Sequence, residues 1–283
     1  MKVLFGGDAG MKANIFDISR VSYVDGPGIR TTVFFKGCNL RCEWCHNPES
    51  QSSNTQMLFY ESKCKKCGKC REKCPNFFEK CNFCGKCTIF CPADAREICG
   101  KDRAVDEVLG EIIKDKPLYE NSLGGVTFSG GECMLQIDFL EEMLKRCKAE
   151  GIHTAVDTAG HIPFEHFERI LPYTDLFLYD IKIADTKKHE RYVGVGNELI
   201  ISNIKRLISL GARVIVRTPI IAGINDTIEE VSAIAKIAKG AEKIELLPYH
   251  AMGEHKYSAL GRAVERFSAP SEETMAILRT FVK

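Results

Sequence analysis

Six short apolar runs punctuate the chain, at residues 31–36, 125–129, 153–157, 176–181, 214–220 and 244–249. Brevity, a high content of Val, Ile, Leu, Phe and Thr, and polar or glycine-rich flanks mark them as buried strands. Between them apolar residues recur every three or four positions. Ala104 to Lys114 aligns Val105, Val108, Leu109, Ile112 and Ile113 along a helix, and Leu135 to Ala149 does the same with Phe139, Leu140, Met143 and Leu144. Further helices are predicted over Pro163 to Leu171, opened by its proline, Asn203 to Leu210, ending before Gly211, Thr227 to Lys239, and Ser271 to Phe281. Residues 50–60 begin with a polar stretch and read as a connector.

Strands alternating with helices predict a parallel sheet with right-handed crossovers. Eight strands close a full barrel. Six predict an open, partial (β/α)6 TIM-like barrel, with a doubly wound open sheet as the alternative on periodicity alone. The expected division is a barrel over 12–59 and 101–283, an inserted unit over 60–100, and a flexible extension over 1–11.

Composition narrows the class. The chain has 283 residues, of which 45% are hydrophobic and 27% charged, enough for one large domain or two small ones. A net charge of +1 gives no whole-chain reason to expect nucleic-acid or membrane binding. No apolar run approaches the roughly 20 residues of a membrane helix, and the first ten residues lack the apolar core of a signal peptide. The 14 cysteines cluster at metal-ligand spacings, which in a long chain without an export signal predicts reduced thiols, metal binding and a cytoplasmic location.

Eleven of the cysteines fall in three motifs; Cys99, Cys133 and Cys147 are left over and read as buried structural residues. Cys38, Cys42 and Cys45 follow the first strand at CxxxCxxC spacing, so their thiolates can converge on one soft metal centre. Three thiolates on a 4Fe–4S cluster leave one iron open to another ligand. A zinc knuckle completed by His46 is the alternative. Further on, Cys64, Cys67, Cys70 and Cys74-Pro75 form CxxCxxCxxxCP, and Cys81, Cys84, Cys87 and Cys91-Pro92 repeat it. This is the bacterial ferredoxin run, whose fourth cysteine ligates the other cluster. It predicts two 4Fe–4S clusters, one on Cys64, Cys67, Cys70 and Cys91, the other on Cys81, Cys84, Cys87 and Cys74. Only six residues separate Cys74 from Cys81, fewer than in a full ferredoxin.

In parallel α/β barrels reactive groups collect at the carboxyl ends of strands. Here the second strand ends in Gly130-Gly131-Glu132, the third in Asp157-Thr158, the fourth in Asp180-Ile181-Lys182, the fifth carries Arg217, and the sixth ends in Tyr249-His250. A glycine pair admits close approach to backbone. Asp180 and Lys182, two apart in extended chain, point the same way and suit a zwitterion, or simply each other. Arg217 suits a carboxylate. Trp44, the single tryptophan, lies in the cysteine loop and fits either packing over a bound group or plain core packing.

The Cys38–Cys45 stretch resembles the cluster motif of the radical S-adenosylmethionine (SAM) superfamily. With Asp25-Gly26-Pro27-Gly28-Ile29-Arg30 before it and Cys45-His46-Asn47-Pro48-Glu49 after it, the chain resembles the activating enzymes of glycyl radical enzymes from about Ile15 onward. The resemblance implies that the open iron chelates SAM, and that SAM is cleaved to methionine and a 5′-deoxyadenosyl radical. That radical then takes a hydrogen from a glycine in the C-terminal loop of a partner enzyme, an anaerobic chemistry. It also implies SAM contacts from Trp44, His46, Gly131, Glu132, Asp180, Ile181, Lys182, Arg217 and His250. A monovalent cation held by Asp157, Thr158, Asp180 and Ile181 and a flavodoxin- or ferredoxin-type reductant complete the expectation. A radical SAM enzyme acting on a small molecule or another peptide, and a pure electron-transfer protein, are the alternatives.

Overall fold

The structure, a computed structural model, describes residues 10–76, 79 and 81–282. The expected extension lies, through residue 9, outside the described residues. The strands in chain order are β1 (Lys12–Ser22), β2 (Arg30–Phe35), β3 (Gln56–Phe59), β4 (Arg96–Cys99), β5 (Lys101–Ala104), β6 (Gly125–Gly130), β7 (His153–Thr158), β8 (Leu176–Asp180), β9 (Val214–Ile220) and β10 (Lys243–Pro248). Eight form one sheet in the order β10-β9-β8-β7-β6-β2-β1-β5. The six strands expected from the apolar runs are the six parallel ones, and they neighbour one another in chain order. No strand order reverses among them, which removes the switch point of a doubly wound sheet.

Four strands were not anticipated, β1, β3, β4 and β5. β1 and β5 add to the β2 edge antiparallel. β1 is interrupted by irregular register between Ile15 and Asp17 and again between Ser19 and Ser22, so its inward residues do not alternate cleanly. The connector expected at residues 50–60 also contains β3, which pairs antiparallel with β4 and so brackets the cysteine-dense block.

Alternation along each parallel strand sorts chemistry by face. Val126 and Phe128, Val156, Phe177 and Tyr179, and Val214 and Val216 point to the helices and share one core with Val108, Leu140, Phe167, Ile204 and Ile234. Burying each such side chain contributes about 1.5–3 kcal/mol. The intervening positions carry Thr127, Ser129, Asp157, Asp180 and Arg217, so the same pleat that builds the core lines the other face with polar groups. Helix boundaries fall near the expected ones, except that the helix expected from Asn203 begins at Glu198. Asn203 is buried inside it and donates to the Gly160 and Ile162 carbonyls, tying the helix to the loop after β7. Among the described residues no helix is long and apolar enough to cross a membrane.

One polar pin holds the antiparallel edge. Buried Asp115 accepts from Arg20 Nε at 2.9 Å and from Thr31 Oγ1 at 2.7 Å, and Tyr119 donates to the same threonine at 2.6 Å. The bond from Arg20 holds the Asp115 carboxyl below its usual value of 3.8, with Thr31 assisting against burial. A depressed carboxyl stabilises the fold above the unfolded value and loses that contribution as pH falls through the folded one. Asp115→Ala is expected to cost about 2–3 kcal/mol in anaerobic urea unfolding at pH 7. The gap between variant and parent should shrink once the pH drops below about 4; a gap unchanged down to acid pH contradicts the assignment.

Candidate active site

The cysteine loop is fixed by backbone. β2 hands on to Gly37, whose N–H donates to the Ser50 carbonyl at 2.7 Å and whose carbonyl accepts from Glu132 N at 2.8 Å. Phe35 O accepts from Gly131 N at 2.8 Å. A Cβ on Gly131 would stand 2.0 Å from the Gly37 carbonyl oxygen, so no other residue fits without moving the loop. Arg41 N and Glu43 N donate to the Val193 and Tyr192 carbonyls, anchoring the far side of the loop. Leu40 and Trp44 are buried among Ile183, Val193, Ile221, Ile224 and Tyr249. Trp44 lies against Tyr192 and Phe267, with ring centroids 6.0 Å away in each case.

Cys38, Cys42 and Cys45 are half-buried. Burial pushes the Cys38 and Cys42 thiols up to about 12 and raises Cys45; Cys38 and Cys42 each respond to the charge of another cysteine of the loop, and all three to that of Lys182. Leu40 N donates to Cys38 Sγ at 3.4 Å, a bond that favours thiolate. Among the described residues no three His, Cys, Asp or Glu side chains close on one point as the ligands of a single ion do. The thiolates of a four-iron cluster stand further apart than those of one tetrahedral ion.

The strand ends bring charge together. Arg217 on β9 reaches Asp157 on β7 at 2.5 Å and Asp180 on β8 at 3.7 Å, and Lys182 meets Asp180 at 2.8 Å. Ser129 on β6 donates to Asp157 at 2.6 Å. Burial pushes Asp157 upward against the pull of Arg217; Lys182 and Arg217 overcome burial to hold Asp180 low. Burial pulls Lys182 down, but Asp180, Cys42 and Cys45 outweigh it and keep it above its ordinary range. The carboxylates expected to face a monovalent cation are thus met by cationic side chains. Thr158 Oγ1 donates to Glu132, and the Ile181 carbonyl accepts from Thr218.

Glu132 is fully buried and accepts from Thr158 Oγ1 at 2.8 Å, Ala159 N at 3.2 Å and Met134 N at 3.3 Å. Burial, opposed by those donors, still lifts its carboxyl to about 7. His46 stacks on exposed His250 with centroids 3.9 Å apart, joining the loop to the end of β10; among the described residues its buried Nε2 has no hydrogen-bond partner. Burial, with His250 and Lys182 nearby, pushes His46 down to about 4. Sequence reasoning missed Lys36, Glu49 and Lys256. Buried Lys36 donates to the Glu49 carbonyl at 2.6 Å and to Gln56 Oε1 at 3.0 Å, and Lys256 pairs with buried Glu49 at 2.5 Å. A lysine closing an apolar strand was the available signal.

A cavity of about 900 Å³ opens beside this group, lined by Tyr23, Val24, Gly26 and Pro27 on one side and by Arg217, Leu246 and Leu247 on the other. Away from the sheet, Cys64, Cys67, Cys70 and Cys91 line one cavity, and Cys74, Cys81, Cys84 and Cys87 line a second. Backbone N–H groups aim at sulfur here as well, Lys66 N at Cys64, Phe83 N at Cys81 and Ala95 N at Cys91.

Residues 32–238 match the radical SAM superfamily. The chain belongs to the radical SAM superfamily. It is 43% identical to the trans-4-hydroxy-L-proline dehydratase activating enzyme of Clostridioides difficile, over 94% of each chain. It is 41% identical to the choline trimethylamine-lyase activating enzyme of Oleidesulfovibrio alaskensis, over 88% of this chain and 87% of that one. In fold it is similar to a radical SAM methyltransferase from Sphaerobacter thermophilus, with a TM-score of 0.54 at 15% identity, covering 94% of this chain and 73% of that one. The matched radical SAM region contains the cysteine loop and the charged ends of β6 to β9, and stops short of His250. The donor set suits the cluster of a radical SAM protein: three thiols on one short loop, near the half-buried cation of Lys182, with an amide bonded to sulfur.

Arg217→Met tests the charged group of this radical SAM sheet. It leaves half-buried Asp157 and Asp180 with Lys182 as their one cation and should cost about 2–4 kcal/mol in anaerobic urea unfolding at pH 7. Without the guanidinium both carboxyls move up, so the loss should grow as pH rises from 4 to 7; a loss independent of pH counts against the network.

Proposed function

We propose that this chain activates a partner glycyl radical enzyme. The radical SAM membership and the activating-enzyme relatives, which match over nearly its whole length, carry the reading. A 4Fe–4S cluster with SAM supplies reductive cleavage of the sulfonium to methionine and a 5′-deoxyadenosyl radical, which removes hydrogen from the α-carbon of a glycine in the partner. The chain's own residues position and exclude. Cys38, Cys42 and Cys45 hold the cluster. Gly131 and Glu132 would meet the SAM amino group, Lys182 its carboxylate, and His46 with His250 would close that side. Trp44 backs the loop against Tyr192 and Phe267 rather than standing free. Asp180, Ile181 and Arg217 keep the adjoining strand ends in place. The cavity between Tyr23–Pro27 and Leu246 is suited to an extended glycine loop of the partner.

The architecture we infer is a partial barrel of six parallel strands with a ferredoxin-like insert over about 60–100. The insert holds one 4Fe–4S cluster on Cys64, Cys67, Cys70 and Cys91 and a second on Cys74, Cys81, Cys84 and Cys87, the grouping supported by the two cysteine-lined cavities. Such thiol-rich centres require a reducing compartment, for which the cytoplasm is the natural one.

Cys38→Ala should retain both insert clusters by iron content and absorbance yet form no 5′-deoxyadenosine from SAM. Continued cleavage would falsify the ligand assignment. Co-expressed with its partner, the parent should raise a glycyl-radical doublet in electron paramagnetic resonance; cleavage without that doublet favours a small-molecule or other peptide substrate. Glu132 gives a pH test. Its folded value near 7 lies above the ordinary 4.5, so its carboxylate costs the ligand-free fold as pH rises through that interval, and N–H donation from a bound SAM amino group would offset the cost. SAM affinity should therefore tighten about tenfold from pH 6 to pH 8, and Glu132→Gln should flatten the profile. An unflattened profile removes Glu132 from the site.

A further inference from the structure

The insert is built from two copies of one loop, and their side chains differ sharply. Cys64-Lys65-Lys66-Cys67-Gly68-Lys69-Cys70 corresponds to Cys81-Asn82-Phe83-Cys84-Gly85-Lys86-Cys87. The backbones agree closely. Lys66 and Phe83 have φ of 52° and 53°, Gly68 and Gly85 have 77° and 76°, and both glycines lead into a short helix, Lys69–Lys73 or Lys86–Ile89. A left-handed φ is costly for lysine and for phenylalanine alike, so the backbone does not choose between them.

The first loop is basic. Lys63, Lys65, Lys66, Lys69, Arg71 and Lys73 are all exposed, against Glu61 and Glu72. Among the described residues none of these six is in an ion pair; Lys63 lies over the Tyr60 ring and Lys73 over the Phe90 ring. Lys65 and Lys66 line the cavity of about 210 Å³ that Cys64, Cys67, Cys70 and Cys91 share, and Cys67 is itself exposed. With a whole-chain charge of only +1, this collar is a local concentration of positive charge. Next to it Ile89 and Phe90 are exposed, at 76% and 49%.

One strand touches both centres. Gln56 at the start of β3 accepts from Lys36, the residue after β2. Met57, next along, lines the second cysteine cavity, and Phe59, about 7 Å further along the strand, lines the first.

We propose that the collar of Lys65, Lys66, Lys69 and Arg71 is the docking surface for an acidic one-electron carrier protein of the flavodoxin type, which reduces the first insert centre. This rests on the reading of the insert cysteines as cluster ligands. Redox encounters of this kind use small interfaces steered by complementary charge, and exposed Ile89 and Phe90 supply the apolar part. Charge placed at a thiol cavity, where Lys65 and Lys66 line it, favours a redox partner over a nucleic acid.

The test replaces the first loop's side chains with those the second loop already carries, Lys65→Asn with Lys66→Phe. Bleaching of cluster absorbance in anaerobic holoprotein is followed with photoreduced acidic flavodoxin, and separately with photoreduced deazaflavin, a small molecule needing no docking surface. Flavodoxin should reduce the variant about tenfold more slowly than the parent at low salt, with the gap closing at high salt. Deazaflavin should reduce both equally, and flavodoxin affinity by interferometry should fall in parallel. If the exchange lowers iron content, Lys69→Glu with Arg71→Glu carries the same comparison, since neither side chain lines the cavity. Equal flavodoxin rates at low salt overturn the proposal. So does salt-sensitive binding of a DNA duplex by the collar with the flavodoxin rate untouched, or a glycyl-radical yield that falls under deazaflavin, which would assign the collar to the partner enzyme. Failure of the deazaflavin-reduced parent to cleave SAM counts instead against the proposed function.

Discussion

Backbone touching backbone at Gly131 and Gly37 is the contact on which the site depends. The cysteine loop has little regular structure of its own, so its position must be imposed from outside. β6 does this by ending in two glycines that let its chain close on β2 and on the residue after it, through the bonds from Gly131 N to Phe35 O and from Glu132 N to Gly37 O. Gly130 adopts φ of +106°, and a side chain at Gly131 would collide with the Gly37 carbonyl. The same turn aims Glu132 inward. One local constraint therefore sets both the cysteine loop and the carboxylate beside it.

The charged group beyond it follows from the pleat. A residue on the non-helix face of a parallel strand points away from the main core, and near the carboxyl ends those positions are Ser129, Asp157, Asp180 and Arg217. Isolated, each buried charge would be expensive. Across three neighbouring strands, with Lys182 at the rim, they are paired. Pairing fixes the rotamers of Arg217 and Lys182, so these cations are held where they are, and a ligand meets a preformed arrangement.

The strands and the helix faces were legible because apolar periodicity is strong where a strand is buried on both faces. β1 was not, because irregular register and one-sided pairing leave Lys12–Ser22 without a run that stands out from its surroundings. β3 was hidden in the same way: it is four residues long, behind a polar lead, and owes its existence to β4 about 40 residues later. At the site, spacing picked out the cysteines and position after an apolar run picked out the strand-end residues, while a SAM role for any of them came from the resemblance. Arg217 is the instructive case. Sequence offered it as a clamp for a ligand carboxylate, whereas its nearest carboxylates are Asp157 and Asp180, which no local pattern reveals. Glu49 and Lys256, more than 200 residues apart, were equally out of reach.

Burial then divides the labour among chemically identical thiols. Cys38 and Cys42 sit where desolvation holds them near 12, so at neutral pH the metal-free chain keeps protons there, and metal binding must expel them. Cys67, Cys81 and Cys84 are exposed, and Cys91 is held below its ordinary range by the amides of Ala93 and Ala95. A centre that must receive electrons from another protein gains from a shallow site, because transfer weakens with distance and the carrier has to come close. A centre that must contain a reactive radical gains from depth, because every accessible C–H bond or water is a competitor. On the proposed function, the four-cysteine loops between β3 and β4 would meet the first demand and the three-cysteine loop at the strand ends the second, with the same ligand type.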